Sequence, residues 1–182
     1  MTIRTGTRHD AESVAALHTE SWRTAYAGIM PDEYLNGSLF EERYELWQNR
    51  LAADAPKGQL FTADEAGEVL GFVYLVPRSD DRVLVDNLHV RPHLKRSGIG
   101  SRLLHHGLRW SAHEHPGSSV YLEVLQANTS AIAFYERHGG RRTAERVAHF
   151  EQGFDLPELE YTWTPAAIAL LPEPPARSGS NT

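Results

Sequence analysis

Residues 90 to 101 read Val-Arg-Pro-His-Leu-Lys-Arg-Ser-Gly-Ile-Gly-Ser, and they hold the clearest chemistry in this chain. The apolar-rich segment Val83–Val90 reads as a strand that ends at Pro92, and Gly98 and Gly100 open a helix with Ile99, Leu103, Leu104 and Leu108 on one side. The first amides of a helix have no internal partner and carry the positive end of its dipole. Glycine lets a ligand come close to the backbone. Strand, loop, Gly-x-Gly and helix therefore form an anion site suited to a phosphate or pyrophosphate. Lys95, Arg96 and Arg102 add mobile positive charge. Three phosphate sites compete for this pattern. A P-loop requires Gly-x-x-x-x-Gly-Lys-Ser/Thr, which is absent. A dinucleotide turn requires its first glycine directly after the strand and a third near Leu103, but seven residues separate Val90 from Gly98 and the third glycine is missing. The third reading is a coenzyme A site.

The elements around this loop alternate. Thr2–Thr5 reads as a short strand, and Thr7 and Asp10 form a capping box before a helix carrying Val14, Leu17, Ser21 and Trp22. Pro31 suits the first turn of another helix, and Phe40, Tyr44, Trp47 and Leu51 make an apolar stripe on a third. Strands follow at Gln59–Asp64 and Glu68–Val76 around an Asp-Glu-Ala-Gly turn, then at Val83–Val90 and Ser119–Leu125 on either side of the helix from Gly98 to about His113. Asn128 caps a helix that Gly139-Gly140 ends. Thr143–Phe150 and Leu159–Trp163 close the body as strands joined near Gln152-Gly153. The expected class is mixed α/β (α+β), with a mostly antiparallel sheet.

Lys95-x-x-Gly98-x-Gly100, after a strand ending Leu88-His89-Val90, resembles the pyrophosphate loop of the Gcn5-related N-acetyltransferases. Lys95 stands where that family usually has Gln or Arg, a departure of little weight because backbone amides hold the phosphates. The resemblance continues through Leu122-Glu-Val and Asn128-Thr-Ser-Ala131-Ile-Ala-Phe134-Tyr135-Glu136, and covers about residues 2 to 164. It implies a sheet splayed between the strands near 83–90 and 119–125, acetyl-coenzyme A as co-substrate, no metal, and direct attack of an amine on the thioester. Carried over by position, the coenzyme would touch Leu88, His89 and Val90, the loop and helix start Lys95, Arg96, Ser97, Gly98, Ile99, Gly100 and Ser101, and Asn128, Ala131, Phe134 and Tyr135. The amide of Val90 or Leu88 would polarise the thioester carbonyl, and Tyr135 would give the departing thiolate its proton. Tyr135 beside Phe134 is also what a helix core aromatic looks like. The general base is open between Asp86, placed by period 2 on the face of Leu88 and Val90, and Glu123 on the neighbouring strand. His89 points the other way.

Ser21-Trp22-Arg23-Thr24-Ala25-Tyr26-Ala27-Gly28 with Pro31, Tyr34 and Leu35 resembles a bacterial branch of the same family, whose first helices wall the acceptor site. Trp22 and Tyr26 are the expected pocket residues, and Asp32 would attract a cationic amine. Tyr34 and Trp47 could join them, although aromatics at helical spacing are more often core. The acceptor would be a primary amine of a small molecule or peptide. A longer acyl chain, or coenzyme binding without turnover, are the alternatives. Dimerisation is common in the family, and the strand pair from Thr143 to Trp163 could supply a homodimer interface.

Composition sets the bounds. The 182 residues are 41% apolar and 23% charged, ordinary for a globular chain and without an apolar run long enough for a membrane helix. The net charge of −6 argues against a nucleic-acid partner. With no cysteine and no paired histidines on a helix face, zinc binding is not expected. The absence of a signal sequence and of disulfides points to the cytoplasm. Residues 1–165 are expected to form the acyltransferase domain and 166–182 a flexible Pro-rich tail, in which Ile168–Leu171 could dock as a short helix or stay free.

Overall fold

A computed structural model describes residues 1–52 and 57–172. Strand β1 (Thr2–Thr5) leads through a 3-10 turn at Arg8–Asp10 into α1 (Ala11–Ala25). The capping box is formed, with the Thr7 amide donating to Asp10 Oδ2 at 2.7 Å. Arg4 grips the same carboxylate through both terminal nitrogens, at 2.9 and 2.7 Å. Helices α2 (Asp32–Asn36) and α3 (Leu39–Ala52) follow, then β2 (Gln59–Glu65), β3 (Glu68–Pro77) and β4 (Val83–Val90). Next come α4 (Ile99–Glu114), β5 (Val120–Leu125), α5 (Thr129–Arg137), β6 (Arg141–Phe150), β7 (Phe154–Trp163) and α6 (Pro165–Ala169).

The strands form one seven-stranded sheet in the order β1-β2-β3-β4-β5-β7-β6. All neighbours are antiparallel except β4 and β5. That parallel contact is short: Val83 pairs with Val120 and Leu84 with Tyr121, and the ladder stops there. Beyond it the strands splay, as the family resemblance implies. One face of the sheet is covered by α4, whose Leu103, Leu104 and Leu108 are fully buried against Val73, Leu75, Val83 and Val120, with α5 and α6 beside it. The other face is covered by α1 and α3, where Val14, Leu17 and Trp47 meet Phe72 and Tyr74. A third cluster joins α1, α2 and the start of α3 to Leu125 and to Leu156 on β7.

Two strand expectations are corrected. On β4, Leu75 of β3 pairs with Val85 and Tyr74 with Asn87, so Asp86 is an extra residue in a bulge. The bulge reverses the alternation: Val83 and Val85 pack on the α4 face, and so do Leu88 and Val90. Strand β7 starts at Phe154, not Leu159. Pro157 hides its earlier half from a sequence reading, because proline normally marks a strand's limit. Here its carbonyl accepts from the Gln126 amide, at 2.8 Å, just beyond the end of β5. The nitrogen of a strand residue points the same way as its carbonyl, so the missing N–H removes nothing from the ladder with β6. At the C-terminus, residues 165–169 are helical and Ile168 is buried in the core, so this stretch packs with the body and not with the tail expected from residue 166. The remaining tail, 173–182, lies outside the described residues.

Candidate active site

The splay exposes one edge of β4. The Arg91 amide donates to the Leu70 carbonyl of β3 at 3.0 Å. Bonding direction alternates along an antiparallel strand, so the His89 backbone also serves β3, while Leu88 and Val90 turn theirs into the gap toward β5. Of the three β4 residues expected beside the coenzyme, His89 is the one that does not turn its backbone to the gap. Its backbone is used by the sheet, and its side chain lies on the α1 face with Nδ1 3.0 Å from Ser21 Oγ. There its ring lies against that of His18, with centroids 4.6 Å apart and the planes tilted by 33°. His18 is fully buried and its Nδ1 accepts from Trp47 Nε1 at 3.1 Å. Burial pushes both histidines down, His89 to about 3 and His18 well below its usual range, so both are neutral near pH 7.

Below the splayed edge lies the glycine loop. A 3-10 turn at Pro92–Leu94 is followed by two left-handed residues, Arg96 at φ 69° and Gly98 at φ 84°. Gly98 occupies the N-cap of α4, where side-chain-bearing residues are strained. Helical bonding in α4 starts with the Arg102 amide on the Gly98 carbonyl, so the amides before it face out of the helix end. A Cβ on Gly100 would sit 3.6 Å from both Phe134 Cζ and Val90 Cγ2. Loop, β4 and α5 therefore meet at that glycine. Lys95, Arg96 and Arg102 are exposed around the mouth, and the Ser97 hydroxyl is used locally on the Leu94 carbonyl. Ser101 reaches His138 Nε2 at 2.9 Å, which ties the first turn of α4 to the end of α5.

Helix α5 forms the opposite wall. Asn128 caps it by accepting from the Ala131 amide at 3.2 Å. Ala131, Phe134 and Tyr135 pack on the α4-face core. Tyr135 meets Trp163 edge-on at 6.1 Å, and burial raises its phenol well above the usual range, with Tyr26 nearby adding to the shift. Tyr26, just past the end of α1, is pushed up to about 12 by burial and by the Glu158 charge, against a lowering contribution from Asn128. Tyr26, Asn128 and Tyr135 thus converge where the gap between β4 and β5 opens.

The acid–base candidates fall out differently from expectation. Asp86 does not share a face with Leu88 and Val90, because the bulge turns it to α3, where Arg50 holds it at 2.7 Å. The same arginine donates to Asn87 and lies over Trp47 and Tyr74. Glu123 is on the open face, paired with Arg146. Trp22 lies beside Tyr26 and Tyr34, with the Arg43 guanidinium 4.7 Å over its ring. Asp32 is exposed at the start of α2, and Trp47 is wholly core. Reading from sequence missed Glu158. It pairs in register with Leu125 and so shares a face with Glu123. The polar–apolar alternation Glu158-Leu-Glu-Tyr-Thr-Trp163 was the signal that could have placed it. Two clefts flank this face. One of about 210 Å³ is lined by Ile29, Leu125 and Leu156, and an open one of about 480 Å³ runs between α3 and the β6–β7 turn past Glu42, Arg43, Glu45 and Glu151. Among the described residues no three His, Asp or Glu side chains gather as metal ligands would, and no helix is long and apolar enough to cross a membrane.

Residues 14–140 match the sequence profile of the acetyltransferase (GNAT) family. The chain belongs to that family. It is 31% identical over 168 residues to the uncharacterized N-acetyltransferase YuaI of Bacillus subtilis, covering 90% of this chain and 92% of that protein. A probable N-acetyltransferase of Mycobacterium tuberculosis is 27% identical over 175 residues, covering 93% of this chain and 88% of the relative. Among solved structures, the PaiA N-acetyltransferase of Thermoplasma acidophilum in complex with coenzyme A has the same fold, with a TM-score of 0.69 at 21% identity over 90% of this chain and all of that one. The splayed sheet and the glycine loop are thus parts of a GNAT acetyltransferase.

Proposed function

We propose that this GNAT protein moves an acetyl group from acetyl-coenzyme A to a primary amine of a small molecule or peptide, by direct attack in a ternary complex. The observation that carries this reading is the unpaired edge of β4 at Leu88 and Val90, with the amide-lined start of α4 at one end and Tyr135 across the gap. The pantetheine arm fits that edge as an added strand, and the pyrophosphate fits the outward amides from Gly98 to Ser101. An amide of Leu88 or Val90 aimed at the thioester oxygen is an oxyanion donor, and one such donor can be worth about 3 kcal/mol. Tyr135 keeps its proton across the working pH range because burial raises its pKa, so it can hand that proton to the departing thiolate. Asn128 serves both as helix cap and as a polar anchor beside the thiol end.

The acceptor enters from the face of α1, α3 and β7. Trp22 and Tyr26 form its aromatic wall, and Glu42, Glu45 and Glu151 give the wide cleft an acidic lining suited to a cationic amine. Asp32, exposed at the start of α2, adds only to the surrounding field. The edge strand β6, with Val147 exposed, is the surface on which a second copy would pair.

The deciding experiment is calorimetric titration with acetyl-coenzyme A and free coenzyme A, followed by thiol-release assays against primary amines. Micromolar binding of both, with thiol release that depends on amine, is expected. Absence of binding would remove the coenzyme from the loop.

A further inference from the structure

We propose that Glu158 is the general base that takes the proton from the acceptor amine. This rests on the acetyl-transfer reading above and assigns the role for which neither Asp86 nor Glu123 is free. Asp86 is turned away by the β4 bulge and held by Arg50. Glu123 is paired with Arg146. Glu158 stands between these pairs without joining them. Its register partner on β6 is Arg146, which could have neutralised it. Arg146 instead directs its guanidinium to Glu123 and Glu160, at 2.7 Å for the latter. Among the described residues Glu158 has no hydrogen-bond or ion-pair partner.

Its position suits the role. Glu158 lies opposite Leu125, the last residue of β5, and so faces the open end of the splay, one strand beyond its edge. It is half-buried beside the cleft lined by Leu125, Leu156 and Pro157. The charged and titratable groups around it are Glu123 from β5, Arg146 from β6, Tyr26 from the end of α1, and Glu160 on its own strand. Burial first, then the Glu123 charge, push its carboxyl up to about 7 despite the opposing Arg146. A base with a pKa near the working pH is the most effective one. The Glu158 charge reaches Tyr26, and Tyr26 reaches Tyr135, so both groups lie near that tyrosine.

The step balances without a further reactant. The Glu158 carboxylate takes one proton from the bound ammonium and frees the nitrogen lone pair. The C–N bond forms, the C–S bond breaks, and the thiolate takes the Tyr135 proton. The nitrogen's second proton restores the phenol, and Glu158 releases its proton to solvent. Products are the amide, the thiol and one proton.

The test has two arms. Carbon-13 NMR of labelled glutamate carboxyls, with Glu158→Gln assigning the signal, is expected to show Glu158 titrating near 7 in the coenzyme-free protein. A value in the ordinary carboxylate range overturns the proposal. In the second arm, thiol release from acetyl-coenzyme A with spermidine and with a lysine-containing peptide as probes is followed against pH. Wild type should lose kcat/KM on the acid side of pH 7. Glu158→Gln should lower kcat at least 100-fold, leave KM for acetyl-coenzyme A unchanged, and abolish that acid limb. Glu158→Asp should restore the limb in part. A retained limb in Glu158→Gln, or an equal drop at every pH, overturns the assignment. A wild type that binds no acetyl-coenzyme A and releases no thiol overturns the acetyl-transfer reading itself, and the base with it.

Discussion

At the scale of single residues, the site depends on side chains whose surroundings fix their protonation. Replacing Tyr135 with Phe deletes one hydroxyl and keeps the ring against Trp163. It should lower kcat by about 100-fold or more and leave coenzyme affinity unchanged by calorimetry. The adjacent His18 and His89 lead to a second expectation. Both are held neutral by burial, so the unfolded chain binds more protons than the folded one once pH falls below the unfolded value of about 6.5. Their contribution is fully present above that pH and is lost on acidification toward the folded value of His89, about 3. Each histidine contributes a slope of up to about 1.4 kcal/mol per pH unit. Urea unfolding at pH 7 and pH 5 should show this loss, and His89→Gln should flatten it. At this scale the helix-start role of Gly98 and the cap role of Asn128 were legible from type and spacing, whereas Tyr135 was singled out only by the family resemblance. Asp86 was misread because period 2 holds only while a strand is regular, and a bulge leaves no composition signal. Glu158 was missed because the strand on which it lies was read only from Leu159 onward, while it starts at Phe154.

At the scale of elements, the β4–loop–α4 unit depends on one backbone conformation. Gly98 is at φ 84° and a Cβ there would meet nothing within 4 Å. Gly98→Ala should therefore cost only the strain of a left-handed residue, about 1–2 kcal/mol, visible as a lower unfolding midpoint and weakened coenzyme binding. Gly98→Glu adds a carboxylate at the anion site and should abolish binding by calorimetry. The order of strands and helices was readable from periodicity and turn residues. The pairing was not, because β7 inserts between β5 and β6, and nothing local in the sequence encodes that order. The docking of α6 depends on one buried residue, Ile168, in a stretch otherwise composed like a tail.

At the scale of the whole molecule, coenzyme binding and stability are linked. A ligand at 100 times its Kd that binds only the folded chain adds about 2.7 kcal/mol, which should raise Tm by roughly 5–10 °C in a chain of this size. Differential scanning fluorimetry with acetyl-coenzyme A measures it, and Gly98→Glu should show no rise. The distribution of that gain follows from the short β4–β5 ladder. Among the described residues the β4–β5 ladder has two residue pairs, Val83 with Val120 and Leu84 with Tyr121. The sheet is two leaves sewn together at one end of a seam, and the open length of that seam is where the acyl donor is proposed to lie. The bound donor would act as a thread along the open length, adding to the core under α4 that already spans both leaves. Hydrogen exchange should show it, with the Leu88 and Val90 amides fast in the free protein and slowed together with the strands of both leaves once acetyl-coenzyme A is added.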